Sequence, residues 1–311
     1  MAEAGRGERA LAASPLQRSF ERAARRRVAV LAYHGVAPEH AEAFEAQLRW
    51  LAANRTPLAP QRALEVLEAG HPPPGATLVT FDDGDPTVAS VAAPLLARHG
   101  IGAIAFVNPA VIGTDSPQWW DEVVDLLAAG GRSARIDAAG VHGPDRVVAW
   151  CKRLDDADRH AVIDDLRASA TAPAPPRPQL TPDDLRALTD AGVAIGNHGL
   201  THALLDRCDD ATLRREVLDA HERLTGWLGD EPTAFAYPNG NGDPRAHAVL
   251  AGAGYRAAFA FDHHLSDGPA PDRWAVSRLR VNAWTPPVRF RLIMSGLHPA
   301  LLATRARLRP G

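Results

Sequence analysis

The chain has 311 residues, 46% of them hydrophobic and 23% charged, with 34 basic against 37 acidic side chains. That composition supports a sizeable buried core and excludes global disorder, the net charge of −3 leaves no nucleic-acid footprint, and the length suits one large α/β barrel. No apolar run reaches the roughly 18 residues of a transmembrane helix, and Cys151 and Cys208 have neither metal nor redox spacing, which points to ordinary thiols in a reducing compartment.

Residues 1–27 are rich in Ala and Arg and lack the apolar stretch of a secretory signal. They are expected as a flexible, solvated arm, with peripheral contact to an anionic membrane surface or a partner as the alternative. A cytoplasmic location, or one peripheral to the inner membrane, follows from the same reading. Residues 28–311 are read as one domain. Arg27–Val36 is a first buried strand ending in Tyr33-His34-Gly35, and residues 41–54 and 61–69 have helical spacing. After a Pro-rich turn, Leu78–Phe81 is a strand that ends in Asp82-Asp83-Gly84. A helix over residues 86–98, opened by Pro86, leads to a strand at Ile101–Val107. The alternation of strands and helices argues for parallel strands with helical crossovers.

Another helix begins at Trp119-Trp120-Asp121. Residues 130–180 are less regular and read as a helical insertion on the barrel surface. Thr181-Pro182-Asp183-Asp184 opens a helix with an N-cap, an N1 proline and acidic first-turn residues. Strands are expected at Val193–Asn197, Thr233–Tyr237, Arg256–Phe261 and Trp274–Val281, with a long helix from Asp210 to Leu228 closed by Gly229. About seven parallel strands with helices between them make a distorted (β/α) barrel, an α/β fold whose chemistry sits at the C-terminal strand ends. Lys152 is the only lysine, read as compositional bias without a functional meaning.

Two strand ends carry the chemistry. Neighbouring strand residues point to opposite sides, so Asp82 and Asp83 are expected to hold different jobs rather than merely close a turn. His198 and His202 are spaced i, i+4, so on one helical turn both imidazoles face the same way. That spacing alone is more often a surface pair. Two histidines and one carboxylate, however, form a common catalytic zinc set with an open position for water.

With these motifs in order, residues 28–285 resemble the metal-dependent polysaccharide deacetylases of the NodB-homology type, carbohydrate esterase family 4. Thr80-Phe81-Asp82-Asp83-Gly84 matches the family's first motif, and His198-Gly199-Leu200-Thr201-His202 its His-x-x-x-His motif, with Gly199 where Ser or Thr is usual. Phe235-Ala236-Tyr237-Pro238-Asn239-Gly240 is similar to a third motif, Phe-Arg-x-Pro-Tyr-Gly. Leu31-Ala32-Tyr33-His34 and Trp119-Trp120-Asp121 are seen in the subset linked to exopolysaccharide synthesis.

The resemblance implies removal of N-acetyl groups from an amino-sugar glycan. Asp83, His198 and His202 would hold one divalent ion (Zn²⁺, with Co²⁺ or Ni²⁺ as alternatives), and Asp82 would be the general base. Tyr237, Pro238 and the backbone N–H of Asn239 would form the oxyanion and substrate wall, and Trp120 a sugar platform. The family's arginine that orients the base is Ala236 here, and Arg278 is expected to replace it, ahead of Arg280. The family's C-terminal Leu-x-x-His has no match. His34, at the end of the first strand, is expected for acid or substrate work, while His298 and the loop pair His263-His264 are expected to be peripheral. A small or nucleotide-linked sugar as substrate, or an inactive glycan-binding barrel, are the alternative readings.

Overall fold

The structure, a computed structural model, describes residues 5–266 and 271–308. Eight strands form one parallel sheet: β1 (Ala29–Tyr33), β2 (Thr56–Pro57), β3 (Ala76–Phe81), β4 (Ala103–Val107), β5 (Val193–Asn197), β6 (Ala234–Ala236), β7 (Ala257–Phe259) and β8 (Leu279–Arg280). Their order is β7-β6-β5-β4-β3-β1-β8, with the short β2 paired to the start of β3. The seven strands on this path curl into a distorted (β/α) barrel surrounded by helices.

These strands read as unbroken apolar runs because both of their faces are buried. Leu31, Tyr33, Val79, Phe81 and Ala105 face outward and pack with Phe44 and Leu48 of the helix Ala41–Asn54. Val30, Leu78, Ile104 and Phe106 face the interior, where Leu64 and Leu67 of the helix Pro60–Ala69 join them. Gly196 sits in mid-strand because a Cβ there would lie 2.4 Å from the Phe106 ring. The inward row of β3 continues past Leu78 into Thr80 and then Asp82, so the period-2 pleat carries polar chemistry into the barrel at its C-terminal end.

The last two strands pair over fewer residues than the sequence suggests. Segment 276–280 serves both edges of the sheet in turn: Val276 bridges Phe259 of β7, and Leu279–Arg280 pair with Leu31–Ala32 of β1. Crossing from one partner to the other limits each ladder and places Arg278 between them. The helix expected from Pro86 begins at Val88. Its first turn, Val88–Ala92, is wide and runs into Pro94, which has no N–H to give. Thr181 and Asp184 close a capping box, and Asp209 and Gly229 cap the helix Asp210–Leu228 as expected.

Two regions differ from a surface reading. The insertion is three helices, Ala134–Ala139, Pro144–Cys151 and Asp156–Ser169, with its own apolar cluster around Val123, Val147, Val162 and Leu166. It stands over the strand ends and walls the cavity described below. The N-terminal arm is not a solvated coil. Arg6–Ala12 and Pro15–Ala24 are helices, and Gln17 is buried between them and the C-terminal helices. Gln17 Nε2 donates to Arg291 O, Gln17 Oε1 accepts from Ser295 Oγ at 2.9 Å, and Glu8 pairs with Arg289 at 2.6 Å. A satisfied buried amide and an ion pair hold the segment that composition alone suggested would fray. Among the described residues no helix is long and apolar enough to cross a membrane.

Candidate active site

The chain leaves β3 through Asp82, whose N–H donates to Tyr33 O and extends the ladder one step past the strand. Asp83 then takes a left-handed conformation, φ 69°, followed by Gly84 at φ 68°. Asp tolerates this region better than bulkier residues. The turn corrects the expectation from the pleat: the alternation breaks at Asp83, and both carboxylates enter one cavity of about 280 Å³. Asp82 is almost fully buried, and Arg278, fully buried, meets it with two parallel bonds, Nη1 to Oδ1 at 2.7 Å and Nη2 to Oδ2 at 2.8 Å. The same guanidinium donates to Thr80 Oγ1 and Ala260 O, so four hydrogen bonds fix its plane. Burial pushes the Asp82 carboxyl up, but the Arg278 charge and hydrogen bonds outweigh it and hold the group ionised below the usual range.

His198 follows β5, its N–H donating to Val107 O. Its Nδ1 lies 2.7 Å from Ala236 O, which puts the ring proton on Nδ1 and leaves the Nε2 lone pair facing Asp83 at 3.3 Å. His202 Nε2 lies 3.4 Å from the same Asp83 oxygen. The two rings converge through a loop rather than the helical turn expected from the i, i+4 spacing, with Gly199 at φ 79° and His202 at φ 59°. Burial lowers the His202 imidazole to about 4, which keeps it neutral, the form that ligates metals. Asp83, His198 and His202 present ligand atoms within 4.8 Å of one another, a group that could hold a metal ion. The donor set is that of a catalytic zinc site, with His198 Nε2 and His202 Nε2 both facing the same Asp83 oxygen, so the residues present fit a bound cation.

Sequence reasoning missed what holds this loop. Glu216, buried on the helix Asp210–Leu228, accepts from Thr201 N–H at 2.9 Å, Thr201 Oγ1 at 2.7 Å and Ala203 N–H at 3.4 Å, on either side of His202. Asn108 Nδ2 donates to the His198 and Gly199 carbonyls. An acidic residue on an amphipathic helix gives no local signal of such a role. Glu216→Ala is expected to lower metal affinity by about 10–100-fold while the fold persists, since it frees the loop that aims His202. Competition against a chromophoric chelator, with circular dichroism as the control, measures this. An unchanged affinity would show that the loop needs no such clamp.

The cavity also takes His34, Trp120 and Asn239, so these expected site residues come together with the carboxylates and histidines. His34 is half exposed, its Nε2 3.8 Å from Asp83 Oδ2, and Trp120 stands against the His202 ring with centroids 4.6 Å apart. Tyr237 and Pro238 are not brought in. Tyr237 is fully buried in the cluster with Leu213 and Leu250, because the inward row of β6 passes through Ala236 and leaves Tyr237 on the other face. Ala236 shares the interior with Phe106 and Phe259, and the Arg278 guanidinium lies over Phe106 at 5.5 Å. An arginine at 236 would compete for space that Arg278 already fills. Lys152 and Phe261 are additions. Lys152 comes from the insertion, with Nζ 3.3 Å from Asn239 Oδ1. Being the one lysine in an arginine-rich chain was its only trace in the sequence.

The family model for polysaccharide deacetylase matches residues 69–258, more than half of the chain. None of the curated proteins matches it. Among solved structures, a Streptococcus pyogenes deacetylase, PplD, in complex with acetate is 17% identical, with 86% of this chain and 98% of that one covered and a TM-score of 0.59. IcaB from Ammonifex degensii is 19% identical over 85% and 97% of the two chains, TM-score 0.55. A de-N-acetylase from Aggregatibacter actinomycetemcomitans is 16% identical over 86% and 99%, TM-score 0.56. At these identities the likeness is one of fold.

Proposed function

The chain belongs to the polysaccharide deacetylase family, and from that membership we propose that it hydrolyses N-acetyl groups on an amino-sugar glycan with one divalent metal ion and Asp82 as general base. The observation that carries this is the cavity itself. A three-residue cation site, Asp83, His198 and His202, shares it with a second carboxylate held ionised by Arg278. A binding module needs ligands at most, whereas Asp82 is a base with its own dedicated counter-ion. The glycan-binding alternative rested on the absent arginine at Ala236 and on the missing C-terminal acid; Arg278 supplies the charge on Asp82, and His34 is our reading for the acid.

A cation held by Asp83, His198 and His202 supplies Lewis-acid activation of water and of the acyl oxygen, with Zn²⁺, Co²⁺ or Ni²⁺ suited to this donor set. Asp82 takes the proton of the attacking water on a carboxylate oxygen, while Arg278 keeps that carboxylate ionised and oriented. The backbone N–H of Asn239 serves the oxyanion that forms as water adds to the acetyl carbon. Cleavage of the C–N bond then needs a proton on the departing amine, and His34, half exposed at the cavity mouth, provides it. The products are acetate and a free amino sugar. Trp120 offers its ring to the sugar beside His202.

Acetate release from N-acetylglucosamine oligomers tests the reading. Chelator-treated protein is expected to be inactive, and added Zn²⁺, Co²⁺ or Ni²⁺ to restore release. A protein that binds no divalent ion, or that binds one yet releases nothing from oligomeric, nucleotide-linked or O-acetylated sugars, would overturn it.

A further inference from the structure

The insertion carries the chain's single lysine into the carboxylate cavity, and its own core fixes where that lysine stands. Val147 and Cys151 of the helix Pro144–Cys151 are buried with Val123, Val162 and Leu166. One position on, Val148 and Lys152 are again four apart, so they share the neighbouring face of the helix. Both line the cavity together with Asp83, His202 and Asn239.

The partly buried ammonium is short of negative charge. Asn239 Oδ1, at 3.3 Å, accepts one of its protons, and among the described residues no carboxylate pairs with it. Neither carboxylate of the cavity is free to do so, because Asp82 takes both Arg278 bonds and Asp83 faces the two histidines. Burial pulls the lysine pKa down, opposed by the Asp83 charge, as expected of a cation taken from water without a close partner. An unpaired charge in a protein wall costs free energy. A negative charge that arrives or forms with the substrate is its complement.

The position of the ammonium narrows which charge that is. Asn239 sits at φ 57° in the turn Pro238–Gly240. The turn packs tightly on the cavity wall, since a Cβ at Gly240 would lie 2.3 Å from Phe261 N. Asn239 Nδ2 donates to Asn241 Oδ1 at 3.2 Å, and Asn241 Nδ2 donates to both Asp206 oxygens, at 3.3 and 3.1 Å. That chain of bonds turns Asn239 Oδ1 toward the lysine. It holds Nζ beside the residue whose backbone N–H serves the oxyanion, so the charge closest to it in the reaction is the one that forms on the acyl oxygen.

We propose that Lys152 is a further catalytic residue, whose ammonium meets the acyl oxygen beside Asn239 N–H and pairs with the negative charge that forms there as water adds. It donates a hydrogen bond and transfers no proton. The proposal rests on the deacetylase reading above. On uncharged N-acetylglucosamine oligomers, Lys152→Met is expected to lower kcat about 10²-fold with KM within a few-fold, because the charge it answers exists only in the transition state. Lys152→Arg keeps a cation and should recover part of the rate, and melting curves of both variants should match the native one. Calorimetry of acetate and of neutral acetamide with the metal-loaded protein reads the same contact without turnover. Lys152→Met should weaken acetate about tenfold and leave acetamide unchanged. If acetate binding weakens in this way but no glycan ever releases acetate, the ammonium's place stands and the deacetylase reading fails. If acetate is released and Lys152→Met keeps the native kcat, or raises KM alone, the proposal is overturned. A loss confined to sugars that carry a carboxylate, or a loss of rate with acetate affinity unchanged, overturns it as well.

Discussion

Asp82→Asn is expected to cut acetate release by about 10²–10⁴-fold, the usual worth of a general base, while divalent-ion affinity stays within a few-fold of the native value. The separation follows from the left-handed turn at Asp83, which sends one carboxylate to the histidines and the other to Arg278. The amide keeps an acceptor for one Arg278 donor but cannot take a proton from water at neutral pH. Because it also leaves a buried guanidinium without its charge partner, rates must be read per folded molecule, with a melting curve beside the kinetics. If metal affinity fell in step with the rate, Asp82 would be a ligand. If the rate hardly changed, the base would lie elsewhere in the cavity.

Arg278→Met is expected to be the most destabilising single change in the site, about 3–5 kcal/mol for breaking a buried ion pair, or a melting shift on the order of 10 °C for a chain of this size. The methionine fills the space but abandons the Asp82 carboxylate, Thr80 Oγ1 and Ala260 O together. Arg278→Lys should recover little, since one ammonium cannot place parallel bonds on a carboxylate and reach two further oxygens. The pH dependence has a definite sign. Asp82 is depressed in the folded protein, so the stability it contributes is present above the ordinary aspartate value of about 3.9 and is lost as pH falls through the folded value. The stability gap between native protein and Arg278→Met should therefore close in acid. Burial alone pushes Asp82 up, so the acid limb of the mutant's rate profile should move to higher pH. Pairing Arg278→Met with Asp82→Asn removes the stranded charge and should restore part of the stability. Equal melting curves for native protein and Arg278→Met would show that the pair adds nothing to the fold.

Local order in the sequence determined a good deal. Apolar runs bounded by turns marked β3, β4 and β5, capping residues marked the helices from Pro182 and Asp210, and strand-end carboxylates and histidines marked the cavity. Each of these signals is a property of a few neighbouring residues, and the family resemblance rode on the same short motifs. Arg278 is expected at Asp82 from its strand-end position, but which residues far apart in the chain meet, and in what geometry, is otherwise beyond such signals. Asp82 and Arg278 are separated by 196 positions, and only a sheet whose last segment crosses from β7 to β1 puts one over the other. Glu216 clamps the histidine loop, Lys152 reaches the cavity from an insertion read as surface, and Gln47 fixes the loop of Trp284, all through contacts with no local pattern. The N-terminal arm erred for the same reason, because its polar and charged composition says nothing of the carbonyl of Arg291 that awaits Gln17. The sequence alone determined which elements form and which chemistry they carry, since secondary structure and motif follow from neighbours along the chain. That Arg278 meets Asp82 in two parallel bonds, that Glu216 holds the loop of His202 and that Gln47 holds the loop of Trp284 were decided by closure of the barrel, because burial and pairing are settled in space.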